Sequence, residues 1–274
     1  MKQHRSYKAA AGAAALAGIV WFGGNAGAHS KPEINPGIVF QAAGPNAASI
    51  QSVVDQFRAA FGGVNNGNAP GPLVEGRREI NWDGGGSTAT SPGPTPFDVF
   101  LNTRGAQMTT PGTGFVQAPA SGLADTFGNS SLVATFAFFS PVRLFAAVGG
   151  TITDVGFFVP GTSGGTPAAT SGFGAVIADV DSPDGGGRDV RQSQRRASSH
   201  ILYYDADGRL LYKSAIASSP GAATLSFFGI IFEDPRIASV RIITGHRTPE
   251  WGTDPKVDFV VMDDFIYGEP RERE

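Results

Sequence analysis

Cysteine is absent from the 274 residues of this chain, and its absence excludes several classes of site. Without a thiol, the chain has no cysteine nucleophile, no thiolate ligand for zinc and no disulfide. Histidine is rare, with four residues, and none of them lies in a recognisable catalytic or metal-binding motif. The fold must therefore depend on its hydrophobic core, and a bound metal ion is the remaining candidate for a cross-link.

Positive charge is also scarce. Lys and Arg total 21 against 24 Asp and Glu, which gives a formal net charge of −3. A general nucleic-acid-binding protein presents a basic face, so the composition argues against this class of partner. Arg188, Arg191, Arg195 and Arg196 form a local basic patch in residues 185–199, with no aromatic residue between them. We interpret the patch as a solvated loop, with contact to an acidic polymer as the alternative.

Long apolar runs are missing except at the N-terminus. There Ala9–Gly23 is almost wholly apolar and is followed by the small residues Ala26-Gly27-Ala28. The basic residues before the run are Lys2, Arg5 and Lys8. This order is typical of a secretory signal peptide that is cleaved before His29. A membrane anchor is the alternative, but the run is shorter than the roughly 20 residues of a spanning helix. We therefore expect an exported chain, periplasmic or extracellular, whose mature part has no membrane span.

Glycine, proline and phenylalanine are abundant, with 38, 19 and 20 residues. Short β-branched and aromatic runs alternate with turn residues, which is typical of many strands joined by loops. Strands are predicted near residues 78–83, 97–101, 115–117, 136–139, 152–159, 172–180, 200–204, 209–214, 225–232, 237–244 and 257–267. Because no strand–helix–strand alternation occurs, the pattern predicts an all-β fold, a two-sheet jelly-roll sandwich.

One short helix is predicted before the sandwich, and we expect it to pack on a sheet. Its apolar residues recur at helical spacing; they are Ile50, Val53, Val54, Phe57 and Phe61. Asn46 or Ser49 can cap its start, and Gly62-Gly63 can end it. The chain then divides into a signal peptide (1–28), an N-terminal leader with the helix (29–75), the β-sandwich domain (76–268) and a charged tail (269–274).

Five segments of the sandwich carry a family resemblance. They are Gly76–Asp83, Thr110–Phe115, Phe139–Phe145, Ser171–Val176 and Val260–Phe265. The chain resembles an uncharacterised family of exported bacterial proteins with a galactose-binding-like or lectin-like jelly roll. It is more distantly similar to carbohydrate-binding modules whose last strand ends in Asp-Asp-aromatic, as Asp263-Asp264-Phe265 does here. The resemblance implies the fold and a structural calcium held by a terminal-strand aspartate, and residues 185–199 depart from the family pattern as an insertion.

Asp263 and Asp264 stand inside an otherwise apolar strand, where a carboxylate is costly to bury without a partner. The first and last strands of a jelly roll tend to lie close together, so Glu79 and Asp83 are expected near them. Mainly on the resemblance, we predict that these four residues bind calcium, which takes six to eight oxygen ligands. The alternative is that an arginine or backbone amides satisfy Asp263.

A second acidic group follows the strand near residues 172–180. Asp179 and Asp181 are two apart and so share a face of the strand, with Asp184 just beyond. Two carboxylates on one face repel each other unless a cation lies between them, which predicts a second calcium site. A solvated turn is the alternative.

Trp251 lies in a polar loop that precedes the last strand, with His246, Arg247 and Asp254 nearby. An indole beside polar planar groups suits a sugar, because its face accepts C–H groups and its neighbours bond hydroxyls. We therefore predict that these four residues bind a polysaccharide or glycan. The alternative is that Trp251 folds back over the edge of the core.

No catalytic set of residues rises above these binding features. Gly161–Gly165 has a serine but no partner histidine motif, so a glycine-rich loop is favoured. Asp205–Gly208 resembles the start of a calcium loop, but we predict a hairpin turn for this segment. The sequence favours a secreted non-enzymatic binding module, carbohydrate-binding and calcium-stabilised. The alternatives are a structural or matrix-associated exported protein without a small ligand, and a glycan-active hydrolase.

Overall fold

The protein is a two-sheet antiparallel β-sandwich, as the sequence predicts, and helices cover one of the sheets. The computed structural model describes residues 37–84, 92–180, 199–219, 221–245 and 259–273. Among the helices of these residues, none has the length and hydrophobicity needed to cross a bilayer.

The strands are β1 (Ile38–Gly44), β2 (Arg77–Ile80), β3 (Ala106–Thr109), β4 (Gly114–Ala118), β5 (Leu144–Val148), β6 (Ile152–Phe157), β7 (Ala168–Ala169), β8 (Gly172–Ala178), β9 (His200–Tyr204), β10 (Leu210–Ala215), β11 (Leu225–Ile231), β12 (Ser239–Ile243), β13 (Val261–Gly268) and β14 (Arg271–Glu272). The helices are α1 (Ala47–Ala60), α2 (Leu101–Arg104) and α3 (Ala120–Phe127), followed by a 3₁₀ helix at Ser130–Ala134.

The larger sheet has the order β1-β11-β8-β13-β5-β4, and β2 also pairs with β13. The smaller sheet has the order β10-β9-β12-β6-β3, and β14 pairs separately with β7. The first core lies between the two sheets and contains Phe173, Phe265 and Tyr267 from the larger sheet with Phe157 and Tyr203 from the smaller. The second core lies between the larger sheet and the helices. Because β8 and β13 are buried on both faces, their sequences are nearly continuous apolar runs.

Helix α1 forms as predicted and packs on the larger sheet. Asn46 and Ser49 make a reciprocal capping box at its start. The ring of Phe57 lies against Gly174 and Gly229, where a Cβ would come within 2.8 and 2.7 Å of the ring. These two glycines let the helix approach the sheet closely, and this approach fixes the position of the last turn of α1.

Some local predictions were wrong. The predicted strands at 97–101 and 136–139 are not formed: Phe97 makes a single bridge with Met108, and residues 136–139 have no strand partner. Helix α2, helix α3 and strand β5 were not predicted. The aromatic residues of 97–101 and 136–139 lie in the two cores or pack against them, so packing rather than strand pairing accounts for the apolar character of these two segments.

The described parts of the leader and the tail belong to the sandwich. Strand β1 from the leader pairs with β11, and Glu269 at the start of the tail forms a buried ion pair with Arg78 at 2.6 Å. The Glu269 carboxylate also accepts hydrogen bonds from the Leu73 N–H and the Asn66 amide. Both segments are thus fixed by long-range contacts that local sequence patterns do not reveal.

Candidate functional site

A β-bulge in β13 places two carboxylates on the same side of the larger sheet. Met262 pairs with Ile177 and Phe265 pairs with Ala175, so Asp263 and Asp264 together lie opposite a single residue of β8. Neighbouring residues of a regular strand point to opposite faces, and a bulge relaxes this rule. Here both carboxylates reach the hydroxyl of Ser140.

Three oxygen atoms surround the hydroxyl oxygen of Ser140. Its Oγ lies 2.6 Å from Asp264 Oδ1, 3.2 Å from Asp263 Oδ1 and 3.3 Å from the carbonyl oxygen of Asn81. A hydroxyl has one hydrogen to donate, so it can satisfy only one of these three acceptors at a time. The arrangement is rich in oxygen and poor in hydrogen, which is the character of a hard-cation site.

Burial shapes the ionisation of the two aspartates. Asp263 is fully buried and Asp264 nearly so. Burial, followed by the negative charge of Asp264, raises the pKa of Asp263 to about 9, although the Phe139 N–H hydrogen bond opposes the shift. Burial also raises the pKa of Asp264, against the lowering effect of Ser140 and Arg58. Without another cation, the pair therefore keeps a proton at neutral pH.

The guanidinium of Arg58 joins this pair to Glu79. Its Nη2 lies 2.9 Å from Glu79 Oε2 and 3.4 Å from Asp264 Oδ2. Arg77 holds the other oxygen of Glu79 at 2.6 Å. Two arginines therefore neutralise Glu79. Asp263 itself accepts a hydrogen bond from the Phe139 backbone N–H at 2.7 Å, as the alternative prediction for this residue expects. We call Arg58, Glu79, Ser140, Asp263 and Asp264 the carboxylate cluster.

Asp83 lies beside the carboxylate cluster but is engaged by the backbone. Its Oδ1 accepts hydrogen bonds from the N–H groups of Val142 and Arg143. Trp82, with a left-handed φ of 63°, stacks on Phe145 at 3.8 Å and donates its indole N–H to the Asp263 carbonyl at 2.7 Å. Trp82 therefore holds the bulge in position.

Of the four residues predicted to bind calcium here, the structure brings Glu79, Asp263 and Asp264 into one network and places Asp83 at its margin. In the described part of the chain, no group of three or more His, Cys, Asp or Glu is arranged to hold a metal ion. The donors that converge at Ser140 are instead a mixed oxygen set of two aspartates, one hydroxyl and one backbone carbonyl.

The second predicted calcium set is only partly described. Asp179 follows β8 in a left-handed conformation with φ of 69°, and its N–H donates to the Thr224 carbonyl. Asp181 and Asp184 lie outside the described residues.

A second surface, which the sequence analysis did not identify, is the outward face of the smaller sheet. Tyr203 points into the first core, so its neighbour Tyr204 points outward. The register places Ser239 beside Tyr204, and Arg241 lies between Leu202 and Asp154. We call these five outward residues, Tyr204, Ser239, Leu202, Arg241 and Asp154, the outer sheet face.

Arg241 and Asp154 form a two-pronged ion pair on the outer sheet face. The distances are 2.7 Å from Arg241 Nε to Asp154 Oδ1 and 2.8 Å from Nη2 to Oδ2. Their side chains remain 43% and 32% exposed. The hydrogen bond that Arg241 donates to the Asp154 carboxylate raises the pKa of Arg241, with a smaller contribution from Tyr204. The face thus combines a partly exposed aromatic ring with fixed polar groups.

The residues predicted to contact sugar, Trp251, His246, Arg247 and Asp254, lie outside the described residues. The described chain stops at Gly245, just after β12, and resumes at Phe259. The Gly245 N–H donates to the Ser199 hydroxyl at 3.0 Å. The predicted sugar-binding segment therefore follows directly from a strand of the smaller sheet.

Sequence reasoning identified the aspartates of the carboxylate cluster but missed Arg58 and Ser140. Arg58 lies on the polar side of a helix, and Ser140 lies in a loop, so neither differs locally from an ordinary surface residue. For the outer sheet face, the available sequence signal was the pair Tyr203-Tyr204 in a predicted strand, because neighbouring residues of a strand point to opposite faces and one of the two rings must therefore point outward. No protein-family model, curated protein or solved structure matches this chain, so the resemblance to exported jelly-roll proteins stays a prediction.

Proposed function

We propose that this protein is an exported, non-enzymatic module that binds carbohydrate and is stabilised by calcium. The observation that carries the binding proposal is the outer sheet face. The Tyr204 ring can stack on the C–H groups of a sugar, while Arg241 and Asp154 offer hydrogen-bond partners to hydroxyls. A partly exposed sheet suits an extended polysaccharide better than a small ligand that needs a deep pocket.

The loop with Trp251 is the second part of the binding proposal, and it is carried by the sequence. In the sequence this loop follows Gly245, two residues after the end of β12. An indole among polar side chains suits a sugar, so we propose that Trp251 also contacts polysaccharide. Affinity from such stacking is modest, in the range of about micromolar to millimolar.

Calcium is supported by the carboxylate cluster. Asp263, Asp264, Ser140 and the Asn81 carbonyl supply oxygens of the type that calcium prefers. The cluster retains a proton because its buried negative charge exceeds what Arg58 compensates. A bound cation would replace that proton, so calcium should bind more tightly as the pH rises.

The same geometry disfavours hydrolysis by this pair. Retaining and inverting glycosidases hold their two carboxyl groups about 5–10 Å apart with the glycosidic bond between them. Asp263 and Asp264 share one hydroxyl and are buried, which leaves no room for a sugar between them.

The carbohydrate proposal is tested by retention on a panel of insoluble and gel-embedded polysaccharides. Tyr204→Ala and Trp251→Ala should each reduce retention at least several-fold while the melting temperature stays nearly constant. Gln56→Ala, on the exposed face of α1, is the matched control and should bind normally. If the wild type is retained on no polysaccharide, a structural role replaces the binding proposal.

Calcium is tested by melting in millimolar calcium and in EDTA. A ligand at 100 times its dissociation constant adds about 2.7 kcal/mol, which is a shift of roughly 5–10 °C for a chain of this size. Asp264→Asn should lose that shift. Equal melting temperatures of the wild type in both conditions, with no metal by elemental analysis, would count against calcium.

Export is tested by N-terminal sequencing of protein from the extracytoplasmic fraction. The charged start, the apolar run and the small-residue motif predict a first residue at or near His29. Recovery of the intact start, Met1 or Lys2, would contradict a cleaved signal peptide.

A further inference from the structure

Strand β1 is an outer strand of the larger sheet. Within the described residues it pairs on one side only, with β11, over all seven positions from Ile38 to Gly44. Phe40 anchors it through an edge-on contact with Phe57 at 5.3 Å. Its sequence, Ile-Val-Phe-Gln-Ala-Ala-Gly, has no charged residue and no proline, and Ile38 is 58% exposed. Such an uncharged outer strand presents backbone groups that another strand can pair with.

The other outer strands of the two sheets are protected. Strand β2 pairs with β13, carries the charged residues Arg77, Arg78 and Glu79, and makes a further bridge from Arg77 to Asn65. Gly93 makes two backbone hydrogen bonds with Phe115 of β4, and Phe97 makes two with Met108 of β3. Strand β10 contains Lys213, and a lysine on an outer strand opposes pairing with another chain. Strand β1 has neither kind of protection among the described residues, which singles it out as the pairing edge.

The residues just before β1 are poorly suited to pair with it. Pro32 and Pro36 lie in the eight residues from His29 to Pro36, and proline has no N–H to donate to a ladder. A second copy of β1 is better suited. In an antiparallel pair centred on Gln41, Ile38 lies opposite Gly44, Val39 opposite Ala43 and Phe40 opposite Ala42.

This register matches large side chains with small ones on both faces of the sheet. Directly opposed residues of an antiparallel pair point to the same face, so in this register the even-numbered residues of both copies share one face and the odd-numbered residues share the other. At the centre, the exposed Gln41 meets the Gln41 of the other copy. No like charges meet anywhere along the strand, and a two-fold arrangement closes after two copies.

We propose that this protein forms a homodimer through antiparallel pairing of β1 with β1 of a second copy, so that the larger sheet continues across both. The dimer does not depend on the carbohydrate or calcium proposals. Its two-fold axis passes through Gln41, which makes that residue the most sensitive position in the interface.

Sedimentation velocity and light scattering of the purified chain test the dimer. The wild type should be dimeric at micromolar concentration. Gln41→Lys and Gln41→Glu should each be monomeric, because each places two like charges face to face at the axis. Both should stay folded, with the circular-dichroism spectrum of the wild type, since Gln41 is exposed. Gln51→Lys, on α1, is the matched control and should remain dimeric.

Mixing the two Gln41 variants gives the decisive result. An equimolar mixture should restore the dimer mass, because lysine then faces glutamate across the axis. A wild type that is monomeric at all concentrations would overturn the proposal, and so would a dimer that persists in both single variants or a mixture that stays monomeric. Slow hydrogen exchange of β1 amides in a monomer would show that a segment of the same chain covers the edge, and this too would overturn it.

Discussion

Replacing Asp263 with asparagine removes the proton from the carboxylate cluster with little change in shape. The asparagine side-chain oxygen can still accept the hydrogen bond from the Phe139 N–H, which is 2.7 Å from Asp263 Oδ2 in the wild type. Its amide can donate to Asp264, as the protonated Asp263 does. The variant thus imitates the protonated wild type at every pH, and the comparison isolates the cost of losing that proton.

The sign of the pH effect follows from the two pKa values. An unfolded aspartate has a pKa of about 3.9, whereas folded Asp263 has a pKa of about 9. Between these values the folded chain binds more protons than the unfolded chain, so stability falls as the pH rises. One proton corresponds to about 1.4 kcal/mol per pH unit, or about 2.7 kcal/mol from pH 5 to pH 7. Because Asp264 shares the proton, we expect the free energy of unfolding to fall by ~1–3 kcal/mol from pH 5 to pH 7.

Thermal melts in EDTA from pH 5 to pH 8 measure this difference. Asp263→Asn should melt higher than the wild type at pH 7 by roughly 3–10 °C, and the gap should widen with pH. Asp207→Asn, in the exposed turn after β9, is the matched control and should follow the wild type. In calcium the wild type should gain stability and Asp263→Asn should not. Parallel pH profiles of the wild type and Asp263→Asn in EDTA would refute the assignment of the extra proton.

Two further substitutions test the framework that positions the site. Glu269→Gln leaves the buried charge of Arg78 uncompensated and should cost ~3–5 kcal/mol in urea unfolding, whereas Glu272→Gln in the exposed tail should cost little; equal effects would contradict the role of the ion pair. Gly229→Ala places a Cβ 2.7 Å from the Phe57 ring and should lower the free energy of unfolding by ~1–3 kcal/mol, and an unchanged midpoint would show that the helix can move away from the sheet.

The sequence alone determined the elements that depend on local interactions. Helix α1 follows from its apolar spacing and from the Asn46 cap, which satisfies backbone groups at its start. The hairpin between β9 and β10 follows from its turn, where the Asp205 carboxylate accepts hydrogen bonds from the N–H groups of Asp207 and Arg209. In both cases the stabilising partners lie within four residues of each other.

Predictions failed where apolar residues serve packing rather than pairing. Phe97 and Phe136 are buried aromatics that sequence patterns place in strands, but tertiary structure gives their segments no continuous strand partner. Strand β1 is a strand that the sequence analysis did not predict, because it pairs with β11, whose residues are far from it in the chain. A local sequence pattern shows which residues are apolar, and only the tertiary structure determines whether they are buried by strand pairing or by side-chain packing.

The carboxylate cluster shows the same division. The sequence marked Asp263 and Asp264, because two acids inside an apolar strand demand compensation. It did not show that a bulge turns both to one side, or that Ser140 and Arg58 meet them there. Ladder register, helix position and loop course bring these groups together from distant parts of the chain. The sequence shows that two carboxylates in an apolar strand need compensation, whereas tertiary contacts determine which residues compensate them.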